Sequence, residues 1–310
     1  MHVTQGSRNL KTAFSNSVLT IGNFDGVHLG HRQLISRVIE IAHKTKLPSV
    51  VVTFEPHPIK VLYPERPFKR IFDLDDQRTE LEAMGVDHLV IEPFSREFSQ
   101  LSPDRYLADW VCRPFQPKQV VVGYDFSFGA NRLGSIAVLQ ERAPRLGFTA
   151  EVTPPFKVGD VIVSSSRIRQ AVDAGDVQLA ADLLGRPFYL RGLIVRGAGR
   201  GRRIGIPTAN LHLQAELIPM RGVYCAWAEI RGARYKAVVN IGVNPTFTSG
   251  KHVQPLSVEA HLMDFRGDIY GETLALKFVE RLRDEQKFAS VEDLVKQIHQ
   301  DIRSGETRLS

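Results

Sequence analysis

The sequence predicts two domains: an α/β domain whose mostly parallel sheet is covered on both faces, then a compact antiparallel β-barrel closed by a terminal helix. Three observations predict it. A chain of 310 residues exceeds one ordinary domain. Short, β-branched apolar runs alternate with helical stretches over residues 1–185, the pattern of a parallel sheet with crossover helices. Past Gly185-Arg186-Pro187, residues 186–310 read as strands separated by glycine-containing turns, with one late helix.

Each element has its own warrant. SVLTIGNF, PSVVVTFEPH, HLVIEPF and QVVVGYDFSFG read as buried strands. HRQLISRVIEIAHKTK carries Leu34, Ile35, Val38, Ile39 and Ala42 at helical spacing. DDQRTELEAMG ends in a glycine suited to a C-cap, and SPDRYLADWV opens with Ser102 as cap and Pro103 in the first turn. SIAVLQERAPRLG is a shorter helix, and residues 164–188 form one or two helices that close this half. In the second half YLRGLIVRG, GVYCAWAEIRG, RYKAVVNIGV, SVEAHLMDF and ETLALKFVERL are the strands. SVEDLVKQIHQDIRSG is the helix, capped by Ser290, with Val291, Leu294, Val295 and Ile298 apolar.

The composition, 43% hydrophobic and 24% charged, is that of an ordinary globular protein. A net charge of +6 fits a protein that handles phosphate-rich small molecules or nucleic acid. The absence of a long basic tail argues against nucleic acid. Cys112 and Cys225 lie far apart without a CxxC, so reduced thiols and a cytoplasmic location are expected. No signal-peptide core and no 18-residue apolar window are present, so no membrane partner is expected.

The chemistry concentrates at residues 22–31, GNFDGVHLGH, between the first long apolar strand and its helix. A helix starting near His28 presents free N–H groups and a partial positive charge, an anion site. His28 and His31, three apart, share one helical face, and Gly30 between them lets a bulky ligand approach. An isolated HxxH also suits a metal or an incidental surface; here strand end, glycines and helix start coincide. Asp125 follows the strand VVVGY, where it could accept from a ribose or adenine group or form an Asx-turn. VSSSRIR, residues 163–169, offers Ser164, Ser165 and Arg169 as a second phosphate clamp, or a plain serine cap with a surface arginine.

Gly22, Phe24, Asp25, Gly26, His28, Gly30 and His31 match a loop that resembles the signature of nucleotidyltransferases related to class I aminoacyl-tRNA synthetases. The resemblance implies a doubly wound, Rossmann-like sheet of the HxGH type, with the histidines on ATP phosphates. Asp25 would contact nucleotide or shape the turn. TFEPHP, VGYDFSFG and VSSSRIR together look like the bacterial FAD synthetase module, with Ser166 where threonine is usual. The resemblance then gives Gly22, Asn23, Phe24, Asp25, Gly30, Asp125, Ser164, Ser165 and Arg169 to nucleotide binding.

In the second half RGAGRGRRIGIPTANL, residues 196–211, is a glycine-rich stretch able to curl N–H groups around an anion, or a basic surface turn; Arg200, Arg202 and Arg203 add charge. Alternation puts Val258, Ala260 and Leu262 on one face of their strand, and Glu259, His261 and Met263 on the other. By pattern alone Glu259 is a charge on an exposed face. PTAN resembles the nucleotide and metal motif of riboflavin kinases, whose β-barrel matches the texture of this half. By resemblance Gly201 contacts nucleotide, Thr208 and Asn210 hold Mg²⁺ carrying ATP, and Glu259 is the general base. NPTF, residues 244–247, and RLRDEQKF, residues 281–288, look like the same family.

The whole is similar to the bacterial bifunctional riboflavin kinase and FAD synthetase (FMN adenylyltransferase) family. That implies ATP, riboflavin, FMN and FAD as small-molecule partners, Mg²⁺ as the metal, and flavins as substrates and products.

Overall fold

The computed structural model describes residues 1–10, 12–197, 199–243 and 256–310, with the side chains of Arg200 and Arg202 left aside. The motif NPTF at 244–247 lies outside the described residues. The chain divides into two compact units, Met1–Ser164 and Ser165–Ser310.

The first unit is built on six parallel strands: β1 (His2–Gln5), β2 (Ser17–Ile21), β3 (Ser49–Glu55), β4 (His88–Pro93), β5 (Pro117–Gly123) and β6 (Thr149–Thr153), in the order β1-β4-β3-β2-β5-β6. Val18, Leu19, Val50, Val51, Val52 and Val121 are fully buried, because a parallel sheet is covered on both faces. One apolar layer holds Leu19, Val50, Tyr106, Trp110 and Phe115, and the other Val18, Ile35, Val38, Val51 and Leu81. Strand order runs outward in both directions from the β2–β5 pair. The carboxyl ends of these two strands therefore flank the crevice where ligands bind in doubly wound sheets. A small hairpin, β7 (Lys157–Val158) with β8 (Val161–Ile162), follows the sheet.

Two features differ from the sequence reading. The edge strands β1 and β6 were not legible, since neither is a long apolar run. The helix expected at 102–111 has Ser102 as its cap but winds as a π-helix over Tyr106–Cys112. The wider turn goes with Tyr106, Leu107, Trp110 and Val111 all being buried.

The second unit is a closed barrel of six antiparallel strands: β9 (Tyr189–Val195), β10 (Ala209–Leu213), β11 (Gly222–Ile230), β12 (Ala233–Val243), β13 (Leu256–Leu262) and β14 (Thr273–Arg283), in the order β10-β13-β12-β11-β14-β9. Alternation fills the interior with Leu190, Ile194, Tyr224, Val239, Ala260 and Phe278. Helices Ser165–Asp173 and Val177–Leu184 group with this unit. The N–H of Met220 donates to Val172 O, 3.2 Å, which ties the first of them to the barrel. The last helix, Val291–Arg308, is capped by Ser290 as expected and lies on Val223, Val238 and Met263.

One ion pair fastens that helix. Arg283 Nε and Nη2 donate to Asp301 at 2.7–3.1 Å, and Gln297 Nε2 adds a bond at 3.0 Å. The two charged side chains are 16% and 6% exposed. Removing one partner strands a buried charge. Asp301→Ala is expected to destabilise the second unit by about 3 kcal/mol in urea unfolding. A change within about 0.5 kcal/mol, the ordinary scatter for surface sites, would show the pair to be dispensable.

Candidate active site

The first site is the turn between β2 and helix α1 (Leu29–Thr45). Phe24, Gly26 and Val27 all adopt positive φ, at 46°, 84° and 40°. For Phe and Val this costs of order 1 kcal/mol each, so the surroundings must hold the turn. Three bonds among the described residues contribute. Asp25 Oδ1 accepts from Ile71 N–H at 3.0 Å. Asn23 O accepts from Thr53 Oγ1 at 3.1 Å and from Gln77 Nε2 at 3.0 Å. Asp25 thus shapes the turn. Thr53 and Gln77 support it, and no local pattern in the sequence marked them.

His28 is the N-cap of α1: its Nδ1 accepts from His31 N–H at 3.3 Å. A ring nitrogen that accepts carries no proton, so the neutral ring holds its proton on Nε2 and can donate it. The His28 and His31 rings stack at 3.5 Å between centroids, and Phe24 meets His31 edge-on at 5.3 Å. A Cβ on Gly30 would stand 3.3 Å from His28 Cε1, so glycine leaves the stack undisturbed. A Cβ on Gly22 would press on the Phe24 ring at 3.0 Å. Burial, and then the neighbouring His28, holds the His31 pKa well below its usual 6.5. His31 Nδ1 is buried without a hydrogen-bond partner. Two imidazoles and the first N–H groups of α1 form one place for an anion.

Asp125 lies in the turn after β5, closed by Phe126 N–H donating to Gly123 O at 3.1 Å. Its Oδ1 stands 3.2 Å from where a Gly123 Cβ would be, and Leu34 of α1 is 3.8 Å from the same point. The structure thus brings the histidine loop and Asp125 to the same crevice, at adjacent strand ends. Ser164 ends the first unit; Ser165 begins the helix Ser165–Asp173, and Arg169 stands one turn in, half-buried.

The second site is on the outer face of the barrel. Asn210 on β10 is directly opposite Glu259 on β13, which is opposite Asn240 on β12. Opposed side chains share a face, with Cβ atoms about 4.5–5.5 Å apart. Val258, Ala260 and Leu262 are buried, and Glu259 and His261 are partly exposed, as alternation predicts. The glycine-rich segment folds onto Asn210 and Thr208. A Cβ on Gly197 would overlap the Asn210 amide. One on Gly201 would overlap Ile206 O and stand 3.3 Å from Thr208 Oγ1. His261 Nδ1 donates to Pro207 O at 2.8 Å and pins PTAN to β13. The signal for His261 was its place two residues from Glu259, on the same face. Side-chain hydrogen bonds to Thr208, Asn210, Asn240 and Glu259 are absent among the described residues. Half-buried polar groups left without partners mark a ligand site. Neutral hydroxyl and amide oxygens beside a glycine cradle suit Mg²⁺, which keeps water and phosphate for its other positions.

Fold and site define a class: a parallel α/β nucleotidyl-transfer domain with an HxGH loop, followed by a barrel kinase domain. Comparison with known proteins is specific. The family model for FAD synthetase matches residues 10–167, and that for riboflavin kinase matches residues 184–309. Proteins named bifunctional riboflavin kinase/FMN adenylyltransferase are similar over nearly the whole chain. The one from Bacillus subtilis (strain 168) is 35% identical over 304 residues, 97% of this chain and 95% of that protein. The one from Escherichia coli (strain K12) is 37% identical over 305 residues, 97% and 96%. The chain belongs to this bifunctional family. A solved structure titled a macrolide-efflux protein, from Streptococcus pneumoniae, covers 99% of both chains at 33% identity and a TM-score of 0.89. Among the described residues no helix is long and apolar enough to cross a membrane.

The low pKa of His31 has a consequence for stability. An unfolded chain takes up the His31 proton near pH 6.5, whereas the folded site resists it. The contribution to stability is complete above about pH 6.5 and is lost as pH falls below it. His31→Asn is expected to flatten the dependence of unfolding free energy on pH between about 6.5 and 5. An unchanged slope would contradict a neutral His31 in the folded site.

Proposed function

We propose that each unit carries one reaction of flavin cofactor synthesis at its own phosphate-binding loop. The barrel makes FMN from riboflavin and ATP. The α/β unit transfers AMP from ATP to FMN, giving FAD and pyrophosphate. The observation that carries this reading is the presence of two such loops of different construction. One is a histidine-capped helix start; the other is a glycine-rich segment folded onto Thr208 and Asn210.

In the kinase site Glu259 takes the proton from the terminal ribityl hydroxyl. That oxygen attacks the γ-phosphorus of ATP and ADP leaves. Thr208 and Asn210 would hold Mg²⁺, which would neutralise charge on the phosphate oxygens. Gly201 leaves room for the phosphates. The Asn210–Glu259 register supports the arrangement, since it sets the base beside the metal ligand.

In the adenylyl-transfer site a phosphate oxygen of FMN attacks the α-phosphorus of ATP, and the bond to the pyrophosphate oxygen breaks. His28 and His31 donate to phosphate oxygens and steady the charge, with the N–H groups of α1. Asn23 and Asp125 face the nucleoside, and Ser164 serves the phosphates. By this reading the functional boundary falls at residue 185. Mg²⁺ serves both steps, no nucleic acid is needed, and the free thiols of Cys112 and Cys225 support a cytoplasmic setting.

The test is incubation with riboflavin, ATP and Mg²⁺, with FMN and FAD resolved by chromatography. The native protein should form both. His28→Asn keeps a helix cap but removes the imidazole. It should stop at FMN, with FAD formation down about 10²-fold or more. Glu259→Ala should lose about 10²–10⁴-fold in riboflavin phosphorylation yet convert supplied FMN to FAD. Loss of both activities in either folded variant would contradict separate sites.

A further inference from the structure

Neither reaction uses the part of the barrel's outer face that lies beyond the last helix. The outward positions of β12 run Lys236, Val238 and Asn240, and the last helix covers Val238. Lys236 therefore stands on the other side of that helix from Asn240 and Glu259. Strand register carries a row onward from it. Lys236 is opposite Trp227 on β11, Trp227 is opposite Lys277 on β14, and Lys277 is opposite Tyr189 on β9. The row two residues along reads Arg234, Glu229, Ala275 and Arg191. Opposed side chains share a face, so two aromatic rings and four cations meet there around a lone carboxylate, Glu229. No stretch of the sequence displays this patch, because only register joins positions 191, 234, 236 and 277.

The cations are not neutralised in place. Lys277 Nζ takes Glu229, at 2.7 Å, although Arg234 is the residue directly opposite that carboxylate. Arg234 lies instead over the Trp227 ring, 3.7 Å from its guanidinium carbon to the ring centroid. The Arg234 side chain has no hydrogen bond or ion pair among the described residues. A guanidinium laid on an aromatic face is held in one plane. It keeps its N–H edge for phosphate oxygens and its outer face for a planar ring. The wider charge distribution agrees. The second unit has 21 Lys and Arg against 16 Asp and Glu, and the first has 19 against 18, so nearly all of the +6 net charge belongs to the barrel side.

We propose that this face binds single-stranded nucleic acid. Bases stack on the Arg234–Trp227 platform, and Arg234, Lys236 and Lys277 take neighbouring phosphates. Four strands spaced about 4.8 Å apart give a row about 14 Å long, which matches a run of linked phosphates rather than a single one. A duplex hides the faces of its bases and gains nothing from the platform. Insertion into a lipid surface calls for bare apolar side chains, and here the tryptophan is roofed by a charge.

The test is fluorescence anisotropy of a short fluorescein-labelled oligouridylate titrated with the full chain at about 50 mM salt. Binding should be micromolar, and log K should fall with log salt at a slope of about −2, the value for three phosphates neutralised on a single strand. Trp227→Ala and Arg234→Ala should each raise Kd about tenfold. Arg234→Lys keeps the charge and loses the planar stack, so it should weaken binding and leave the salt slope unchanged. The chain has two tryptophans, and Trp110 is buried. Oligouridylate should therefore quench the native tryptophan emission, and the quench should vanish in Trp227→Phe. FMN and FAD formation should be unchanged in all these variants, and thermal melting checks that each is folded. Saturating ATP and Mg²⁺ should not displace the oligonucleotide. Absence of binding, binding indifferent to both Trp227→Ala and Arg234→Ala, or displacement by ATP would overturn the proposal. Equal binding of duplex, or binding of phosphatidylserine vesicles in place of the oligonucleotide, would overturn it as well.

Discussion

The first site depends on the bond by which His28 caps α1. A fully buried parallel strand must become a helix within seven residues, and its backbone passes through three positive-φ positions to do so. Such a turn persists only if its neighbours over-determine it. Asp25 on Ile71 N–H, and Thr53 and Gln77 on Asn23 O, supply that restraint from elements distant in sequence. The cap closes the far end and fixes which nitrogen of His28 can donate. The same stacking that orders the two rings shields Nδ1 of the half-buried His31, and the site holds that ring neutral. The site is therefore arranged for an anion before one arrives, which is the condition for electrostatic catalysis.

The barrel meets a similar demand without a long helix start. Its interior is filled by side chains, so chemistry has to stand on the outer face. Strand register there does the work that a helix terminus does in the first unit: it sets Asn210, Glu259 and Asn240 side by side with no local strain. Close approaches at Gly197 and Gly201 bring a loop down onto that row. The helix packed on Val223, Val238 and Met263 covers the neighbouring part of the same face, while Asn210, Glu259 and Asn240 stay partly exposed.

Much of this was legible in the chain. Periodicity marked α1 and the last helix. Buried runs marked β2–β5, and alternation placed Glu259 and His261 on one face. The parts that were not legible share a physical reason. β10 has only Ala209 and Leu211 buried in five residues, so it read as motif rather than strand. β1 is an exposed edge with no apolar run. The partners of Asp25 and Asn23 are 30–54 residues away, and a tertiary bond of that kind leaves no local pattern. The helices at 165–184 follow the first unit in sequence but bond to the barrel, through Val172 O and Met220 N–H. Asn240 became meaningful only once register set it beside Glu259.

The central claim is that one chain binds ATP in two places of different construction. The most direct measurement is a crystal structure with Mg²⁺ and a non-hydrolysable ATP analogue. The account predicts two analogue molecules. One should have its phosphates against His28, His31 and the first N–H groups of α1. The other should have its phosphates and metal against Thr208 and Asn210. A single analogue bound away from either set, or phosphates held by neither the histidines nor the PTAN segment, would contradict it.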